Sequence, residues 1–225
     1  MTSSSPPPAE AGDPVLEGMF GPFTITASDR REVLGYRLAL LAVAVAQLAL
    51  LLQFWLIGPD LLWPWLVLMA VGLGLALRWI HIYLRPLHLA LQLFWLLGCG
   101  GLLLLAGREG PAGVLPALQA QPLWILAVGP LFAALAGVGF KEFFCFRRPE
   151  AIGVTLLLPL ALLGRLLGLL SPGVCLGLLA AQALLLLVLC LRKFPMPAAA
   201  DIGDKSVFAE LQRRRQSQAA ERPWA

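Results

Sequence analysis

Phe140 to Glu150 reads FKEFFCFRRPE, the densest chemistry in the chain. Lys141 and Glu142 form an adjacent acid/base pair, Cys145 is a thiol one turn on, and Arg147 and Arg148 are anion-binding groups. A lysine, a carboxylate and a thiol could serve covalent acid/base chemistry. Catalysis needs further groups to converge on them, and the sequence offers none. The expected role of the stretch is therefore docking. Phe143, Phe144 and Phe146 insert at a membrane interface, while Lys141, Glu142, Arg147 and Arg148 meet anionic headgroups or a partner protein. Pro149 and Glu150 suit the first turn of a following helix.

Other reactive residues are sparse. The two histidines, His81 and His88, are seven residues apart. On one helix face that is about 10 Å, too far to share a metal. Either alone could be an axial ligand for a haem or chlorophyll, and either could equally be an interfacial histidine among headgroups. Cys99, Cys145, Cys175 and Cys190 are scattered, with no CxxC or Cys/His spacing for zinc. There is no P-loop, GxSxG, HExxH or dinucleotide fingerprint. We expect no metal, no cofactor and no enzymatic activity.

The elements carrying these residues are membrane spans. Of 225 residues, 59% are hydrophobic and 13% charged, against about 25% charged in a soluble domain. The expected fold is all-α, a polytopic membrane bundle of six transmembrane helices, with the lipid bilayer as solvent. Residues 1–29 form an N-terminal segment, disordered to about Asp13, with Met19–Thr26 extended against the membrane or the bundle. Ser28 or Asp29 is expected to cap the first helix. No basic n-region or apolar h-region marks a signal peptide. The membrane domain is expected over residues 30–194, with spans near 38–57, 61–80, 89–106, 123–140, 151–170 and 173–191. The longest internal loop, Gly107–Pro122, carries an apolar piece, Val114–Leu118, that dips into the interface. Residues 195–225 form a polar basic tail with a short helix over Ser206–Gln216.

Charge orients the bundle. With six spans, all but Arg108 and Arg165 of the 17 Lys and Arg residues fall on the N-terminal side. The positive-inside rule then puts both termini in the cytoplasm. The net charge of +4 reflects this topology and does not imply a nucleic acid partner. Trp55, Trp63, Trp65 and Trp124 fall at outer span ends and Trp79 at an inner one, as an interfacial belt would.

Small residues recur at four-residue spacing: Gly129, Ala133 and Gly137; Gly164 and Gly168; Gly173, Gly177 and Ala181. Such stripes let helices approach closely, within the bundle or in a homo-oligomer or partner contact. Gln47 and Gln182 lie near the midplane of spans one and six and are expected at equal depth, within reach of each other. Arg165 is expected to snorkel to the outer surface. No Asp or Glu falls within these spans, which disfavours a carrier of ions or charged solutes. Pro130 and Pro159 could break helices around a neutral solute.

Gly21-Pro22-Phe23-Thr24-Ile25-Thr26, Asp29-Arg30-Arg31-Glu32-Val33, Tyr36-Arg37 and Phe140–Arg147 together resemble an uncharacterised integral membrane family of cyanobacteria and plastids, a domain of unknown function. The likeness spans roughly Phe20–Phe194 and implies a multi-span protein of a bacterial plasma membrane or a thylakoid membrane. It transfers no activity, ligand or catalytic residue. The leading expectation is a non-enzymatic scaffold or assembly subunit of a photosynthetic membrane. The alternatives are a permease for a small neutral solute and, more weakly, a pigment- or haem-binding protein.

Overall fold

A computed structural model describes residues 14–59 and 62–221. The expected disorder of residues 1–13 and the Asp60–Leu61 end of the first turn lie outside these. A short antiparallel hairpin comes first, β1 (Val15–Gly18) and β2 (Gly21–Thr24), with Val15 opposite Thr24 and Gly18 opposite Gly21. Helix α1 (Ala27–Leu56) follows. Then come α2 (Trp63–Trp79), α3 (Arg85–Glu109), a short α4 (Val114–Ala120), α5 (Ile125–Phe146), α6 (Pro149–Leu166), α7 (Pro172–Lys193), α8 (Ala198–Ile202) and α9 (Lys205–Glu221).

Five of these helices, α1, α3, α5, α6 and α7, are long and apolar enough to cross a membrane. The sixth apolar helix, α2, has 17 residues, about 26 Å at 1.5 Å per residue. The long helices and α2 form a closed ring in which each touches the next in chain order and α7 returns to α1. The core inside the ring is aliphatic, with Leu40, Val43, Leu73, Leu105, Leu131, Leu158 and Leu186 fully buried. Leucines such as Leu52, Leu103, Leu104 and Leu156 point outward. That inverted surface is stable only in lipid.

Several local expectations change. The N-cap of α1 is Thr26, not Ser28 or Asp29. Its Oγ1 accepts from the Asp29 amide at 3.2 Å, and Asp29 accepts from the Thr26 amide at 2.7 Å, a reciprocal capping box. Helix α6 stops at Leu166 rather than near residue 170, because Gly168 turns the chain at φ +71° and Leu169 donates back to the Gly164 carbonyl at 2.8 Å. Gly168 is therefore a helix terminator and not part of a packing stripe. Gly164 is covered by Leu170 of the same turn.

The other small-residue stripes scatter. Among the described residues, Gly137 meets Leu91 of α3, Gly129 has only Ile125 nearby, and Gly173 and Gly177 have nothing within 4 Å of a notional Cβ. Ala133 and Ala181 are exposed. The tightest approach is elsewhere: Gly98 and Gly101 of α3 press on the backbone of Leu131 and Ala127 of α5.

The hairpin is held by the tail. The Met19 amide donates to Asp204 at 2.6 Å and the Phe20 amide to Ser206 Oγ at 3.0 Å. Ile25, Val33 and Ile202 make a small core beneath it. Phe208 of α9 stacks on Tyr83 at 4.6 Å.

Candidate functional site

One end of the ring gathers charge. Tyr36 and Arg37 come from α1, Lys141 and Glu142 from α5, Lys193 from α7 and Asp201 from α8, and all six are buried. Glu142 accepts from Lys193 at 2.5 Å, from the Tyr36 hydroxyl at 2.6 Å and from Lys141 at 3.2 Å. Lys193 also meets Asp201. Arg37 donates to Asp201 from Nε at 2.7 Å and to the carbonyl oxygens of Met196 and Pro197 at 2.9 and 3.3 Å. The Phe146 ring lies 4.5 Å from the Lys193 ammonium, and the Tyr36 ring 5.5 Å from that of Lys141. Beside this cluster Glu150 receives Arg192 at 3.0 Å, with Arg148 at 3.6 Å.

Buried charges are tolerated only when paired. Here three cations face two carboxylates. Lys141, whose contact to Glu142 is the longer, holds the unmatched charge. These side chains are spent on one another, so the cluster fastens α1, α5, α7 and α8 together.

This changes the reading of the FKEFFCFRR stretch. It is the last turns of α5 up to Phe146 and not a loop, and Lys141 and Glu142 face inward. Neither can dock a partner. Phe143 packs against the core and Phe146 against the cluster. Arg148 is engaged with Glu150 and Met196. Only Phe144, Arg147 and the neighbouring Phe140 and Cys145 stay outward. Tyr36 and Arg37 entered the sequence reading only through the family likeness, and Lys193 and Asp201 were given no site role there. The available signal was that Arg37, Lys141 and Lys193 all fall at or near span ends on the N-terminal side of the bundle, whereas Asp201 lies in the tail beyond the last span.

The opposite half of the bundle holds a cavity of about 350 Å³. Its walls are Leu50 and Phe54 of α1, Met69 of α2, Val128 and Phe132 of α5, and Leu176 and Leu179 of α7. Leu115 and Leu118 of α4, the piece expected to dip into the interface, cover the mouth with Gln119. Gly129 and Gly173 widen it by having no side chain. Arg165 lies at the mouth and donates to the Gln119 carbonyl at 3.2 Å. Gln47 forms part of the lining near mid-helix. The structure brings Gln47 and Gln182 together: Gln47 Nε2 donates to Gln182 Oε1 at 2.5 Å. Gln47 Oε1 and Gln182 Nε2, the other two polar atoms of this amide pair, are both buried without a hydrogen-bond partner among the described residues. A volume in the 300–1,000 Å³ range, mostly apolar walls and a few polar side chains, here Gln47, Gln119 and Arg165, are the features of a small-molecule site.

The histidines lie away from the cavity. His81 Nε2 is 3.6 Å from Glu32, and burial pushes its imidazole pKa down against the opposing pull of that carboxylate. His88 Nε2 donates to the Leu77 carbonyl oxygen at 2.8 Å. Among the described residues no group of His, Cys, Asp or Glu is placed to hold a metal.

Residues 75–209 match the family model described as an uncharacterized integral membrane protein. A Haemophilus influenzae protein described only as uncharacterized is 32% identical over 168 residues, covering 73% of this chain and 83% of its own length. The comparisons therefore do not single out cyanobacteria or plastids. No solved structure matches. The chain belongs to the uncharacterized integral membrane protein family DUF2301.

Proposed function

We propose that this chain is a non-enzymatic six-span membrane protein, both termini cytoplasmic, that takes a small, neutral, largely apolar solute into its outer half and acts as its permease. The cavity reaching inward to the Gln47 amide carries the reading. Among the described residues no carboxylate lines it, and the one cationic lining residue is Arg165, which donates to the Gln119 carbonyl. Such a chamber favours a neutral guest over an ion. The charge cluster closes the opposite end, which suits a site open outward. Helix α2 counts as the sixth span, since an even number keeps the basic residues on one side. The Haemophilus relative supports a bacterial plasma membrane over a thylakoid.

The test is light-scattering flux of small neutral diols into liposomes containing only this protein. Gly129→Leu is the control, because a side chain at 129 meets only Ile125, at 3.6 Å from its Cβ, and grows into the cavity. Flux above empty liposomes that falls to background in the variant supports the reading. Equal flux in both removes it.

A second reading, a scaffold or assembly subunit, rests on Phe140 and Phe144. Both are exposed at the inner end of α5 and stack at 6.4 Å beside exposed Arg147. It requires a partner that co-purifies and is lost in Phe144→Ala with Arg147→Ala.

A further inference from the structure

The cavity joins an apolar interior to a cationic entrance. Of the described lining residues, Gln119 of α4 and Pro172 and Gly173 of α7 are exposed, and Arg165, in the last turn of α6, is partly exposed beside them. The opening therefore lies among helix ends on the side remote from the charge cluster, at the depth of lipid headgroups. Helices α1, α2, α5, α6 and α7 wall the rest. From Gly173 to Leu179 the α7 wall runs about 9 Å at 1.5 Å per residue, and the buried Met69 and Val128 line the interior. Arg165 uses one donor on the Gln119 carbonyl at 3.2 Å. Among the described residues no carboxylate pairs with it, and Glu109, at the same end of the bundle, is held by Arg108 at 3.2 Å. A guanidinium has five N–H donors in a fork that matches a carboxylate, so Arg165 has donors left for an anion.

From this we infer that the cavity is also a binding site for a fatty-acid anion, which inserts its single hydrocarbon chain among the leucine, methionine and phenylalanine walls and leaves its carboxylate on Arg165. The inference uses the same cavity as the solute site proposed above but does not rest on transport. The anion is held at the entrance and not carried, because its charge cannot follow the chain into an apolar wall. It therefore competes with a neutral solute for the chamber. A phospholipid fits poorly, since its second chain would have to pass between packed helices. A cationic amphiphile is repelled by Arg165, and an inorganic anion gains nothing from the walls.

Two probes with the same chain separate the parts of this statement: decanoic acid carrying a diazirine at its chain end, and the methyl ester of that acid, which is neutral. The full chain in nanodiscs is irradiated with each at a pH of about 8.5, where the free carboxyl is ionised, and adducts are mapped by mass spectrometry. Met69 and Val128 are the readout, because both line the chamber and are buried from lipid. Wild-type protein is expected to be labelled there about fivefold more by the acid than by the ester, the effect of one arginine on an anion at a membrane surface. Arg165→Gln is expected to bring the acid down to the ester, Arg165→Lys to keep part of the difference, and Gly129→Leu to abolish labelling by both. Equal labelling of Met69 and Val128 by acid and ester, lost in Gly129→Leu, overturns the anion site and leaves an apolar chamber. Labelling at neither residue, or labelling that Gly129→Leu does not reduce, overturns the inference outright. The wild-type ratio of acid to ester decides the matter if Arg165→Gln does not fold. Acid-selective labelling in a protein that passes no diol keeps this inference and removes the permease; diol flux without acid-selective labelling does the reverse.

Discussion

Glu142→Gln and Lys141→Met perturb the same buried cluster in opposite senses, and the difference between them is calculable. Glu142 is 0% exposed and accepts three hydrogen bonds, two of them from ammoniums. An amide at 142 keeps the shape and removes the charge. Three buried cations then share Asp201 alone. Breaking a buried pair by removing one partner costs about 3–5 kcal/mol. For a chain of this size that lowers the midpoint by about 6–20 °C. Lys141→Met removes the surplus cation, which shares Glu142 with Lys193, and puts an unbranched apolar chain against Tyr36 and Phe146. With Lys141 gone, Lys193 and Arg37 still face Glu142 and Asp201, so no buried charge is left uncompensated and the cost of a broken pair does not arise. We expect Lys141→Met to melt at or above wild type and Glu142→Gln well below it. Circular dichroism melts in one detergent at pH 7.5 measure both. A Lys141→Met midpoint as low as that of Glu142→Gln would refute the reasoning that Lys141 holds surplus charge.

Other outcomes follow from single contacts. Gly101→Ala drives a methyl group into the Ala127 backbone and should cost about 1–3 kcal/mol, while Gly177→Ala, with nothing within 4 Å, should stay within about 0.5 kcal/mol of wild type in the same melts. A double-mutant cycle of Gln47→Leu and Gln182→Leu should return a coupling of about 0.6–2 kcal/mol, and a coupling near zero would contradict the observed pair. Asp204 is held below the usual carboxylate range by hydrogen bonds from Ser206 and the Met19 amide. Its contribution is therefore present above the unfolded carboxylate value near 3.8 and is lost as pH falls through its lower folded value. Hydrogen exchange at Met19 should accelerate, relative to an unfolded peptide, only below that point, and Asp204→Ala should show the faster exchange at pH 7.

How much of this was legible in the sequence depends on the type of signal. Long leucine-rich runs announce helices in lipid whatever their neighbours do, so the helical bundle could be read directly. The Gln47–Gln182 contact was also legible, because an amide at mid-span must find a partner and only another polar side chain can supply one. The Lys141–Glu142 pair misled, since a charge-rich stretch between apolar runs looks like a loop. Helix α5 in fact runs on to Phe146 and turns both side chains toward Lys193 and Tyr36, which are 52 and 105 residues from Lys141 in the chain. Pairing over such separations leaves no local trace. Small-residue spacing misled for a related reason. Gly98 and Gly101, which do meet a neighbouring backbone, are three apart, while the four-residue stripe on α7 splits between the cavity wall at Gly173 and the exposed positions Gly177 and Ala181. The cavity was invisible, because a void is defined by where leucines fail to meet.

Photolabelling tests the solute site most directly. A diazirine-bearing octanol is irradiated with the protein in native-lipid nanodiscs, and its adducts are mapped by mass spectrometry. Labelling is expected on Met69, Phe132 and Leu179 inside the chamber, and it should disappear in Gly129→Leu while labelling of lipid-facing Leu103 and Leu104 persists. Adducts confined to the lipid-facing leucines, unchanged by the variant, would contradict the account.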